Sequence, residues 1–276
     1  LVTHDNQNPL NSFFTNFFSL FISGAGKPQE RMFQRDEDIS TFFCVWQKPY
    51  SKNQNKFTNS YRGFPTISDF IDVYTKLPEE DKRFYELIKG RCVEYYDIEF
   101  ESGEYCDEGE IISDFIYLRS EWIRKENIDM KIVPKVGLIV LNSSDEKKLS
   151  LHIIVRDTQM CFEDVKQAKI LMKNFDDFIK NRSDRFRIDM SVYNSNSLMR
   201  VVGSHKGGQT RVFKPNAWSR NRDYKDYFVS YVPTDYKVIE VDVPLKTPHK
   251  IDDVVDQFED DSEVGSLIDM IISLVK

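Results

Sequence analysis

The chain has 276 residues, 40% hydrophobic and 30% charged, an ordinary globular balance with apolar material for a sizeable core. Its net charge of −7 excludes a uniformly basic nucleic-acid-binding surface. The apolar stretch Phe13–Ile22 falls well short of the roughly 20 residues a membrane span needs, and without a basic leader or cleavage site it is not expected to act as a signal peptide.

In chain order, Phe13–Ile22 reads as a core helix. Thr66-Ile67-Ser68-Asp69 reads as a capping box opening a short helix through Leu77, and Pro78 as the start of another, Glu79 to about Lys89. Val93–Phe100 is a strand, Ser102–Gly109 an acidic loop, and Glu110–Lys125 a helix with apolar residues at helical spacing. Val136–Leu141 and Leu149–Val155 form strands of a hairpin across the polar connection Asn142–Lys148. Phe162–Asn181 is the clearest amphipathic helix. Arg187–Tyr193 and Leu198–Gly203 read as strands around a turn at Asn194–Ser197, and Val264–Val275 as a short closing helix. Interleaved strands and helices predict a mixed α/β (α+β) architecture.

Cys44, Cys92, Cys106 and Cys161 are scattered without a CxxC pair, so neither a disulfide framework nor a closed zinc site is expected. Reduced thiols in an intracellular, reducing compartment (nucleus, cytoplasm or viral replication site) are the expectation. Leu1 stands where an initiator Met would, and the chain is read as a piece of something longer. Charge is distributed unevenly. Lys180–Lys225 holds eleven Lys/Arg against three acids, whereas Asp252–Glu263 holds seven acids and no base. Screening confines the acidic tail's field to about 8–10 Å, so the basic stretch can attract phosphates on its own, the bland alternative being a solvated basic face.

Three segments carry chemistry. In Tyr95-Tyr96-Asp97-Ile98-Glu99-Phe100, strand alternation projects Asp97 and Glu99 to one face. Their mutual repulsion is a cost that a divalent cation would offset, while the bland alternative is a solvent-facing edge with scattered acids. In Lys148–Val155, the same alternation aligns Lys148, Ser150 and His152, a cation, a hydroxyl and an imidazole suited to a phosphate edge. In the third segment Asp189 is a further carboxylate, followed by Arg200 and Lys206 as triphosphate ligands. Gly203, Gly207 and Gly208 would let a backbone approach a ligand closely. Alone, that segment reads equally as a basic surface hairpin.

The order DxE, SxH, then Asp before a basic hairpin resembles the archaeo-eukaryotic primase superfamily. It lies nearest the primase-polymerases (PrimPol) and the primase domains of viral primase–helicases. The residues that carry the resemblance are YYDIEF at 95–100, KLSLHIIV at 148–155 and IDMSVYNSNSLMRVVGSHKGG at 188–208. It covers roughly residues 40–230, within a catalytic domain over 1–250, leaving 251–276 as an acidic linker or the start of a further domain. The resemblance implies an RNA-recognition-motif-like sheet backed by helices, with an N-terminal α/β module. It further implies two divalent ions, Mg²⁺ or Mn²⁺, on Asp97, Glu99 and Asp189. Ser150 and His152 would contact nucleotide phosphates, with Lys148, Arg200 and Lys206 completing the triphosphate site. Arg62 would contact template or nucleotide. The implied activity is DNA replication chemistry: primer synthesis or extension from dNTP or NTP on single-stranded DNA, with any helicase outside this chain. The zinc cluster of several relatives is absent from the sequence, so the chain is expected to extend primers even if starting them needs such a module.

Gly24-Ala25-Gly26-Lys27 is no P-loop, because Phe21 replaces the first glycine and Pro28 the Ser/Thr. His4, His152, His205 and His249 include no alternating pair for a rolling-circle nickase. A metal-dependent nuclease and a non-catalytic nucleic-acid-binding module stay open as alternatives.

Overall fold

The continuous apolar run Phe42–Trp46, buried on both faces, pairs with the more polar Asn53–Phe64 in a long antiparallel hairpin that founds the first sheet. The computed structural model describes residues 22–23, 42–50, 53–101, 107–126, 128, 137–156, 158–183, 186–194 and 196–239. The stretch Phe13–Ile22 (apart from Ile22), Cys106 and the acidic C-terminal segment with its expected helix lie outside these residues. The strands are β1 (Ile22–Ser23), β2 (Phe42–Tyr50), β3 (Asn53–Phe64), β4 (Phe84–Leu87), β5 (Glu94–Glu101) and β6 (Leu138–Asn142). They continue with β7 (Lys148–Val155), β8 (Met160–Cys161), β9 (Leu198–Arg200), β10 (Lys214–Pro215) and β11 (Lys237–Val238). The α-helices are α1 (Ile67–Tyr74), α2 (Glu108–Glu126) and α3 (Val165–Lys180).

A five-stranded antiparallel sheet runs β1-β3-β2-β4-β9, and a four-stranded antiparallel sheet runs β10-β6-β7-β5. The short β11 and β8 pair in parallel. The mixed architecture expected from the sequence is present at this level, as are the β6–β7 hairpin and three of the expected helices, α1, α2 and α3.

Each sheet has a face covered by helix. On the first, Phe42, Phe64 and Phe84 pack against Phe70 and Tyr74 of α1, with ring centroids 5.0 Å apart for Phe42–Phe70 and 5.5 Å for Tyr74–Phe84. On the second, Tyr96 meets Phe115 at 4.8 Å, and Trp122 meets Phe175 at 4.8 Å. Burying each such ring stabilises the fold by about 1.5–3 kcal/mol. Both layers belong to one continuous core. Behind β5, Glu94 is held by Arg119 through two bonds of 2.5 and 2.6 Å and also accepts from the Tyr96 hydroxyl. Such a buried charge is tolerated because every oxygen is paired.

The capping box forms as expected: Thr66 N–H donates to Asp69 Oδ2 at 2.9 Å, and Asp69 N–H donates to Thr66 Oγ1 at 3.2 Å. Two expectations are corrected. The helix predicted over Glu79–Lys89 is a single 3-10 turn, Glu79–Asp81, followed by β4. Placed between β2 and β9, β4 buries Phe84 and Leu87 and satisfies its backbone on both sides, which outweighs the helix propensity of its residues. Arg187–Tyr193 and Leu198–Gly203 are not a hairpin. Ile188 makes one bridge to Ile98, and the chain then turns into a 3-10 helix, Met190–Tyr193. The strand that follows, β9, joins the other sheet.

Candidate active site

Because Tyr96, Ile98 and Phe100 fill the helix side of β5, Asp97 and Glu99 take its opposite face. β7 lies beside it in a register that sets Asp97 opposite His152 and Glu99 opposite Ser150. Opposed residues of an antiparallel pair share a face, so the acidic and phosphate-binding motifs form one patch. Lys148 reaches diagonally to place Nζ 2.6 Å from Glu99 Oε2.

Asp189 arrives on the other edge of β5. Its backbone N–H donates to the Asp97 carbonyl at 2.9 Å, and its carboxylate accepts from Ser191 N–H at 2.8 Å, capping the 3-10 turn. Burial, then Glu99 and Asp189, push the Asp97 carboxyl up to about 7, against the opposing pull of Arg200 and Lys148. Asp97 Oδ1 is buried without a hydrogen-bond partner among the described residues.

Arg200 comes from β9, so the patch sits where the two sheets meet. Its Nε and Nη1 are buried and unpartnered among the described residues. Its guanidinium lies 4.8 Å from the Phe213 ring centroid, and Phe213 stacks on His152 with centroids 3.7 Å apart and planes inclined by 28°. Burial, then Arg200, hold the His152 imidazole well below its ordinary range. It is therefore neutral at pH 7, and its 3.8 Å approach to Asp97 Oδ2 is not an ion pair.

Two expected ligands are not brought to this patch. Arg62 lies in a row with Cys44, Glu86 and Met199, whereas Arg200 lies in the next row with Tyr85, Val45 and Tyr61. Adjacent rows face opposite sides of a sheet, so Arg62 points away from the face that carries Arg200, its guanidinium 4.6 Å from the Phe64 ring. Lys206 is exposed on the turn joining His205 to Val212, and none of its described contacts reaches the carboxylates. The glycines meet local demands of backbone conformation and packing. Gly203 and Gly208 have φ of +82° and +77°, and a Cβ on Gly207 would come within 2.5 Å of Phe57.

Phe213 was not legible in the sequence, since its partner His152 is 61 positions away and only the Gly-rich turn signals that the chain doubles back. It fixes both ring and guanidinium. Phe213→Leu is expected to keep the fold but lower any activity of the patch about tenfold or more, as small misplacements do. Circular dichroism and a rate assay check this together.

Among the described residues no group of three or more His, Cys, Asp or Glu side chains is placed to hold a metal ion. Three features nevertheless fit a divalent cation: the unpartnered Asp97 Oδ1, the mutual repulsion of three carboxylates, and an all-oxygen donor set suited to Mg²⁺ or Mn²⁺. Lys148 pairs with Glu99 beside these carboxylates. Cys44, Cys92 and Cys161 are buried and unbridged, and burial pushes the Cys44 and Cys92 thiols far up. Among the described residues no helix is long and apolar enough to cross a membrane.

The sequence matches no known protein-family model and no curated protein.

Proposed function

We propose that this chain is a DNA-dependent nucleotidyltransferase, a primase or primase-polymerase that makes or extends primers on a single-stranded DNA template. The observation that carries this is the meeting of Asp97, Glu99 and Asp189 with Ser150, His152 and Arg200 on one patch, from segments up to 100 residues apart. The chain order also supports it: β5-α2-β6-β7-α3, then a segment bridging β5 at Ile188, follows a β-α-β-β-α-β plan with its last strand reduced to one bridge. On this reading the five-stranded sheet with α1 would be the N-terminal module that the resemblance implies.

Asp97, Glu99 and Asp189 would hold the divalent ions. Bound Mg²⁺ or Mn²⁺ supplies a lowered pKa for an attacking 3′-hydroxyl and charge neutralisation on the β- and γ-phosphates. Lys148, released from Glu99, becomes a cation for phosphate oxygens. Arg200 offers two donors that have no other partner among the described residues, and its planar fork suits a phosphate. Neutral His152, held by Phe213, presents a ring nitrogen near Asp97 without adding charge.

Arg200→Ala should weaken nucleotide binding about 10–100-fold, the loss of charge-assisted bonds, with a smaller effect on template binding. Lys206→Ala, from the exposed turn, should cost less. Titration of each variant with nucleotide and with oligonucleotide compares the two; equal losses for both ligands would make Arg200 part of a general DNA-binding face.

The direct test is incorporation of labelled dNTP or NTP on single-stranded DNA with Mg²⁺ or Mn²⁺, with and without an annealed primer. Product without primer establishes a primase, and product only with primer establishes a polymerase core. No product with DNA binding intact would replace this reading by a non-catalytic binding module. Oligonucleotide degradation would replace it by a nuclease.

A further inference from the structure

We propose that the turn at residues 216–222 is a stacking platform for single-stranded nucleic acid, with Trp218 as the stacking group and Arg220 and Arg222 as phosphate contacts. This rests on the proposed function for one point alone, that the strand held is the template.

Trp46 and Trp122 are 5% and 0% exposed, whereas Trp218 is 41% exposed. A single exposed aromatic is ordinary, so the weight falls on how it is displayed. Asn216 N–H donates to the Val140 carbonyl at 3.0 Å, and Val140 N–H donates to Ser219 Oγ at 3.0 Å. Ser219 N–H donates to Asn216 Oδ1 at 3.2 Å, and the Tyr227 hydroxyl donates to the Ser219 carbonyl at 2.6 Å. The residues flanking the indole are thus fastened to β6 while the ring faces solvent. A loose loop does not explain the exposure.

Charge points the same way. Residues 211–225 carry five Lys/Arg and one acid in a chain of net charge −7, and Arg220 stands exposed two positions from the indole. A fixed aromatic face beside guanidinium groups binds unstacked bases and their phosphates without regard to sequence. A duplex, its bases already stacked, offers the indole no such face.

Position completes the argument. Pro215, Leu141, His152 and Asp97 lie in one row across the four-stranded sheet. With strands about 4.8 Å apart, β10 lies roughly 10 Å from β7. A single strand spans that distance with a few nucleotides, well within the roughly 4–16 nucleotides such platforms hold, so a strand held at the turn extends to the patch.

The test uses the whole chain with neither nucleoside triphosphate nor divalent cation. A 20-nucleotide oligo(dT) is titrated while tryptophan emission is followed, and a labelled oligo(dT) gives affinity by anisotropy. The oligonucleotide should quench emission in the parent, and Trp218→Ala should abolish the quenching and weaken binding about tenfold. Trp218→Phe should retain most of the affinity, and Arg220→Ala with Arg222→Ala should lower its salt dependence. Binding by Trp218→Ala within twofold of the parent, or emission unmoved by saturating oligo(dT), overturns the proposal. So does a blunt duplex that binds as tightly and depends equally on Trp218. Failed incorporation with intact quenching would remove only the enzymatic reading, and lost quenching with intact incorporation only this one.

Discussion

Alanine at both Asp97 and Glu99 should abolish nucleotide incorporation, by a factor of about 10³ or more, and leave the fold standing. The scale follows from removing the groups that would stabilise the charge developing in the transition state. The intact fold follows from the geometry of β5. The two carboxylates lie on the face opposite Tyr96, Ile98 and Phe100, so the core loses no contact. Lys148 loses its bond to Glu99, but Glu99 is 40% exposed along its side chain, and a pair so open to water is worth little. Incorporation assays and circular dichroism on the same preparation check both halves. Undiminished incorporation would falsify the carboxylate assignment. Lost incorporation with single-strand binding retained separates the catalytic patch from the Trp218 turn.

How much of this patch could be seen in advance depended on the range of the interaction involved. Alternation along one strand is local, so the pairing of Asp97 with Glu99 and of Ser150 with His152 was legible. The register that sets Asp97 opposite His152 was not, because it is fixed by β5 choosing β7 as its neighbour. Arg200 and Phe213 come in from another sheet and from a returning loop, and local pattern carries no trace of that. The failures have local causes too. Ile188, Met190 and Val192 alternate as a strand would, but the Asp189 carboxylate captures Ser191 N–H and winds the backbone into a 3-10 turn. Arg62 was legible as a cation but not as a residue on the far face of its sheet, since facing depends on the hairpin register. The glycines after Val202 announced unusual backbone correctly. In the structure they lie against Tyr74, Tyr224 and Phe57.

Asp97→Asn should stabilise the protein at pH 8 and change it little at pH 4. Asp97 is an acid whose folded pKa is raised, from an ordinary unfolded value of about 3.9 to about 7. Between those values the folded state holds a proton that the unfolded state has lost. Its contribution to stability is therefore fully present below about pH 4 and disappears as pH rises through 7. Above that, ionised Asp97 beside Glu99 and Asp189 costs the fold on the order of 2–4 kcal/mol. Asparagine keeps the shape and removes the charge, so the melting temperature at pH 8 should rise by roughly 5–15 °C. Thermal melts at pH 4, 6 and 8 read this directly, and an unchanged or lower melting temperature at pH 8 would mean that the carboxylate is satisfied by a contact other than those described. The same melts with Mn²⁺ test why such a cost is retained. A cation bound only by the folded state should stabilise the parent as its concentration rises and do little for Asp97→Asn. Stabilisation of both alike would place the ion elsewhere, whereas stabilisation of the parent alone would mean that the strain at Asp97 is the folded chain's preparation for a cation.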